Sequence, residues 1–326
     1  MKGKLVSNAV CCLVLFFVFV IGVIPARAAP LTIDAGNEDY FVTTNETVDE
    51  IRVGNINDDN RLIVQSDATL TTTADYRLYL GYGGTSSNNL VQVYGAGSTI
   101  DTTGEWTFVG LRGSENTLWI ENGGTVNSYG GHVGYYPESV GNNVQVEDSG
   151  SRWNLLAEHL YVGRDGDSNS VTISAGGTVA IEGDGKGLRI GVEAAADNNR
   201  VTITGSGSLL DANDAVYVGQ SGTNSSLTVA DSGSLDNVYG FLGYFSGSSG
   251  TGTVTGADSQ WNNAHSLYIG GHSSAAGGSG TLNLSDSGLA TVTGTTRLWS
   301  TGTVNLHGGS LTTGSFDNSQ AGVFDF

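Results

Sequence analysis

Cysteine is confined to Cys11 and Cys12, lysine beyond residue 4 to Lys186, methionine to Met1, and proline to three positions in 326 residues. Each scarcity excludes something. Both cysteines lie inside an N-terminal apolar run, so the rest of the chain has no disulfide, thiol nucleophile or thiolate metal site. The covalent staple of small secreted domains is therefore missing. Once Lys2, Lys4 and Arg27 are set aside with that run, 10 basic residues face 32 acidic ones, a formal charge of −22. Such a field repels nucleic acid and anionic membrane surfaces. Beyond the N-terminal run, no apolar stretch is long enough to cross a bilayer.

That run has the form of an export signal. Lys2 and Lys4 precede an apolar segment from about Val10 to Ile24, and Ala26-Arg27-Ala28 supplies a small-x-small cleavage site. Residues 1–28 are expected to be a secretory signal peptide, with the mature chain starting at Ala29 and placed at the cell surface, outer membrane or outside the cell.

Glycine, with 50 residues, is what the chain has in abundance, and it falls at a fixed beat. The stretch Leu160–Val179, LYVGRDGDSNSVTISAGGTV, holds an alternating strand closed by glycine, a polar loop, a second alternating strand, a Gly-Gly turn and a third strand start. One such unit cannot bury a core and must stack on copies of itself. The glycine that ends the first strand recurs at 54, 81, 110, 134, 163, 191, 219, 243 and 270, at spacings of 24–29 residues. A β-patterned period of this length predicts an all-β, parallel β-helix (solenoid) of about nine to ten coils. The expected layout is lead-in strands capping one end at 29–50, repeats over 51–313, and an incomplete coil at 314–326.

A second period overlies the first. GAGSTI (95–100), DSGSRW (148–153), GSGSLL (205–210) and GADSQW (256–261) alternate with ENGGTV, SAGGTV, ADSGSL and SDSGLA, so the true repeat is a pair of coils. Trp153 and Trp261 share one position with Ile100 and Leu210, which marks an inward apolar site. The succession G-x-G-S-x-W, L-Y-V-G and L-T-I-x-x-G-G-T-V resembles the repeat of type V autotransporter passengers and PEP-CTERM-associated exported proteins, over roughly 50–300. The resemblance implies an exported, right-handed parallel β-helical passenger at the cell surface. Neither a translocator barrel nor a proline-glutamate-proline sorting signal is found in the sequence. A truncated chain is the expectation, with translocator or anchor beyond Phe326.

Candidate sites are few. A polysaccharide lyase needs a cation and a basic proton acceptor, and one lysine with scattered arginines offers little. A hydrolase needs paired carboxylates, whereas Asp58, Asp59, Asp165, Asp167, Asp231 and Asp286 sit where turns favour aspartate. An enzyme acting on polysaccharide stays as the alternative to a non-catalytic structural or adhesive protein. Asp165, Asp167 and Asn169 have the spacing of oxygen ligands for calcium but lack the distal glutamate, leaving at most weak association and no cofactor. His132, His159, His265, His272 and His307 fall at different phases of the repeat.

Two columns are regular. Asn60, Asn89, Asn116, Asn142, Asn169 and Asn199 share a turn position, continued by Ser225, Gly252 and Gly280. They are expected to form a structural ladder, each asparagine taking a left-handed conformation and bonding between rungs. In the first strand the middle residue should point outward. Tyr79, Phe108, Tyr161, Tyr217, Phe241 and Tyr268 then form an aromatic stripe on the solvent side, with Arg52 ahead of them and His132 and Arg189 between them. The stripe either stiffens the rod or offers a surface to an extracellular glycan or another surface protein.

Overall fold

The computed structural model describes residues 28–73 and 77–326; the signal-peptide expectation for residues 1–27 lies outside them. The chain is a parallel β-solenoid of about ten turns, and no helix occurs among the described residues. Each turn contributes three short strands, and like strands pair in parallel, as Leu160–Val162 does with Leu188–Ile190 and Ser170–Ser174 with Arg200–Thr204. The second sheet numbers twelve strands, including short rungs at both ends. Leu31–Ile33, Asp39–Val42 and Glu46–Val48 pair in register with the next turn, so the segment 29–50 is itself a rung. A single strand, Leu289–Leu298, runs through the corner between the third and first sheets and joins them.

The alternation read from the sequence positions the core. Val171 and Ile173 of the second sheet, Val179 and Ile181 of the third, and Leu160 and Val162 of the first all lie inside. Each rung adds comparable apolar residues to one continuous column.

The first corner explains both the glycine beat and the asparagines. Gly163 has φ +68°, and a Cβ there would lie 2.0 Å from Nδ2 of Asn199 in the next rung. Only glycine satisfies both the left-handed backbone and the missing space. Asn199 fills that space. The side-chain amides run rung to rung: Nδ2 of Asn60 donates to Oδ1 of Asn89 (2.9 Å), Asn89 to Asn116 (2.9 Å), Asn116 to Asn142 (3.0 Å), Asn142 to Asn169 (3.0 Å) and Asn169 to Asn199 (3.2 Å). Every ladder asparagine is buried. One part of the expectation is overturned. The ladder asparagines are not left-handed; the residue before each is, as at Asp59, Asn88, Glu115, Gly141, Ser168 and Asn198. Asparagine holds this place for its amide, which answers buried backbone groups, and the left-handed torsion falls on its exposed neighbour.

The continuation of that column also needs correction. Ser225 aligns with Gly250, and Gly252 aligns instead with inward Leu227 and Leu282. Gly252 is a core position emptied for an indole, since a Cβ there would lie 2.5 Å from the Trp261 ring. Gly131 likewise yields space to Trp153 (2.6 Å). Both indoles are fully buried, and their nitrogens donate to Ser128 Oγ (3.0 Å) and Asn237 Oδ1 (2.7 Å). The two-coil period has a local cause as well. Ser151, Ser208 and Ser259 of the G/D-x-x-S corners accept the backbone N–H of Gly123, Gly176 and Ser232 in the preceding turn, each at 3.0 Å. One corner type supplies the acceptor that its neighbour lacks.

Candidate functional site

The outward column of the first sheet is in perfect register: Tyr79, Phe108, His132, Tyr161, Arg189, Tyr217, Phe241, Tyr268 and then Arg297 align one above another. Rings on adjacent rungs stack nearly parallel: Tyr79–Phe108 at 5.3 Å, Phe108–His132 at 5.0 Å, His132–Tyr161 at 4.7 Å, Tyr217–Phe241 at 4.7 Å and Phe241–Tyr268 at 5.1 Å. Stacking along the rod turns the ring faces toward each other and the edges toward the outside. The stripe is also less open than expected. Tyr79, Phe108, His132 and Phe241 are buried, while Tyr161, Tyr217 and Tyr268 are half-buried. A second row covers them, standing edge-on one residue past the anchor glycine: Tyr82 against Tyr79 (5.1 Å), Tyr135 against His132 (4.7 Å) and Tyr244 against Tyr217 (5.0 Å). Glycine followed by tyrosine at 82, 135 and 244 was the legible trace of this row.

Arg189 divides the column into two blocks. The first, Tyr79 to Tyr161, is closed. Trp106 lies over His132 (4.6 Å) and reaches Tyr161 (6.1 Å), above a glycine, Gly130, whose Cβ would collide with the indole at 2.6 Å. Arginines cover its second row: Arg52 sits 4.5 Å from the Tyr82 centroid, Arg164 4.5 Å from Tyr135 and Arg112 4.1 Å from Tyr136. The few cations in this acidic chain are thus largely spent as lids on aromatic rings. Burial drives His132 down to about 3, with the charges of Arg164 and Arg77 adding to it, and its Nδ1 has no hydrogen-bond partner. It serves as an uncharged ring in the stack.

The second block, Tyr217, Phe241 and Tyr268, is open. Ala215 and Tyr239 stand at the position that Trp106 and Gly130 occupy in the first. A groove of about 370 Å³ remains, lined by the three stacked rings with Tyr239, His265, Ser273 and the Asp214 carboxylate. Tyr239 and His265 face each other at 4.7 Å along one wall. Burial raises the Tyr217 hydroxyl above its usual range; Arg189 opposes this, and Tyr244 and Asp214 add to it.

The other sequence candidates do not assemble. Asp167 accepts the backbone N–H of Asp197 (2.7 Å), Asp165 pairs with Arg164 (3.7 Å), and Asn169 points inside the ladder, so the three supply no common cation site. The tightest carboxylate group among the described residues, Glu121, Glu147 and Asp148, has ligand atoms within 4.8 Å of one another. Two of its members already serve neighbours: Glu147 accepts the Trp119 indole N–H (2.9 Å), and Glu121 accepts from the Gln92 and Asn122 amides. The spacing rules used on the sequence missed this group because its residues come from adjacent rungs. His159 accepts the Gly187 N–H through Nδ1 (2.9 Å), and burial and Arg189 lower it to about 4.

No protein-family model matches the chain. A stretch of 156 residues, 45% of the chain, is 33% identical to the adhesin BmaC autotransporter of Brucella suis biovar 1 (strain 1330). The match spans 4% of that much longer protein. Among solved structures, the TibC-catalyzed hyper-glycosylated TibA55-350 fragment overlaps 92% of this chain and 100% of its own, with 13% identity and a TM-score of 0.25. At that score it carries no argument here.

Proposed function

We propose that the chain is an exported, non-catalytic surface rod that mediates adhesion through the outer face of its first sheet. The single observation that carries this reading is the similarity to an adhesin autotransporter over 45% of the chain. The architecture is consistent with it. A stacked solenoid extends a surface in proportion to the number of rungs, and its core is one continuous apolar column. The N-terminal run, with its charged start and small-x-small end, supports export. The two aromatic blocks divide the work. The closed one braces the rod, and the open one, with Tyr217, Phe241 and Tyr268, makes contact with a glycan or surface protein of another cell.

Display of the chain on a non-adherent bacterial strain tests the reading. Adherence to cultured cells or extracellular matrix should rise over a strain displaying nothing, and fall when Tyr217 and Tyr268 are both replaced by threonine. Adherence no greater than the background would refute it.

A further inference from the structure

Four rungs place a carboxylate at the same corner, five residues before the anchor glycine: Asp49, which accepts the Thr73 hydroxyl (3.0 Å), then Glu105, Glu158 and Asp214. Glu105 and Glu158 are also answered from within the chain. Arg77 Nε lies 3.0 Å from Glu105, and Lys186 Nζ lies 2.9 Å from Glu158. Among the described residues no cation or hydrogen-bond donor meets the Asp214 side chain, although the open groove lies directly beside it. Where the closed half puts its own base, the open half leaves room.

We infer that this groove receives an arginine or lysine side chain presented by a basic segment of a partner protein. The inference rests on the adhesive reading, which brings such a partner to the surface. The closed half shows the chemistry in miniature: its guanidinium groups lie 4.1–4.5 Å over Tyr82, Tyr135 and Tyr136. A cation entering the open half meets a similar combination of tyrosine and carboxylate in Tyr239 and Asp214, whereas the faces of Tyr217 are already taken by Phe241 (4.7 Å) and Arg189 (5.1 Å). Its volume of about 370 Å³ is at the small end for a ligand site and suits one side chain. The surroundings add to the attraction. Asp211 and Asp236 face each other on neighbouring rungs of the third sheet, and burial, then the charge of Asp236, hold the Asp211 carboxyl above its usual range. A formal charge of −22 on the mature chain steers a basic partner inward.

The test uses the mature chain and two fluorescent peptides, alternating glycine-arginine and alternating glycine-citrulline, which keep the same shape and differ in charge. The arginine peptide should bind and the citrulline peptide should not. Asp214→Asn should weaken binding about tenfold, whereas Asp184→Asn, an equal charge change at an exposed turn, should weaken it less than about twofold. Melting temperatures identify any variant that has lost the fold. Tyr239→Ala provides a second arm that leaves every charge in place and should also reduce binding. Equal losses in Asp214→Asn and Asp184→Asn would reduce the effect to diffuse attraction and overturn the site. Binding of the citrulline peptide would overturn the ligand class. Peptide titration reads the groove in solution and bacterial adherence reads the surface role, so failure of one is not mistaken for failure of the other.

Discussion

The rungs up to and including that of Gly191 and the rungs after it follow one backbone plan, and they differ in what fills its ladder corner and its outer column. In the first half the inner corner holds an unbroken amide ladder from Asn60 to Asn199, and the outer column is roofed by Trp106 and lidded by arginines. In the second half the ladder position passes to Ser225, whose hydroxyl has no partner, and then to Gly250 and Gly280. There the corner closes by backbone proximity instead, a Cβ at Gly219 lying 2.2 Å from the Ser249 carbonyl. The roof is missing too, and a groove appears. The difference teaches that a repeat protein can divide stability from contact along its axis, since each rung touches only its neighbours.

The comparison breaks most readily at the ladder. Asn169→Val leaves Asn142 Nδ2 and its backbone N–H without their shared acceptor, and takes the donor from Asn199. Several buried polar groups are orphaned together, and the expected cost is about 3–5 kcal/mol. Ser225→Ala in the other half should cost less than about 1 kcal/mol, because it removes an unpartnered hydroxyl. Urea midpoints of the two variants check the contrast, and equal shifts would dissolve it.

Acid provides the next largest effect. His132, at about 3 in the folded chain against 6.5 when exposed, stays neutral in the stack while the unfolded chain takes up a proton. Its contribution is intact above pH 6.5 and is lost progressively as pH falls toward 3. His132→Phe keeps the ring and removes the proton site. Between pH 7 and pH 4 the variant should lose about 2–4 kcal/mol less stability than the parent. Parallel pH profiles would mean that His132 is not held neutral by the stack.

Removal of the roof should convert the first half toward the second. Trp106→Ala should cost about 1–3 kcal/mol, less than a fully buried indole because Trp106 is half-exposed. It should also expose the His132 and Tyr161 edges, which a rise in binding of an apolar dye would reveal. The smallest change is Tyr268→Thr at the open end of the column. It forfeits one stacked pair, and threonine suits a strand, so the loss should stay below about 1 kcal/mol in thermal melts.

Much of this arrangement was legible because side-chain alternation and a glycine beat are one-dimensional signals. They placed Tyr161 outside and Leu160 and Val162 inside without knowledge of neighbouring rungs. The register of Trp153 with Ile100 through Val126 followed from the two-coil period alone. What failed needed the third dimension. That ring faces are consumed by stacking depends on the 4.7–5.3 Å rung geometry, and the roof depends on Trp106 leaning over Gly130 of another rung. Gly252 misled because the pattern treated glycine as a turn residue, whereas here it is a core position emptied for Trp261. The left-handed assignment failed by a single residue. Exposed Asn88 and Asn198 carry the torsion, and buried Asn89 and Asn199 carry the amide, so adjacent asparagines hid two separate roles.

Hydrogen exchange resolved along the chain measures the division most directly. Local opening reports how well each rung is braced, independently of any ligand. Amides of Gly131–Val133 and Leu160–Val162 should exchange more slowly, by about tenfold or more, than those of Tyr239–Leu242 and Leu267–Ile269. Addition of the arginine peptide should then slow exchange in the second group and leave the first unchanged. Uniform protection along the rod, or peptide-induced protection that follows the closed half, would contradict the account.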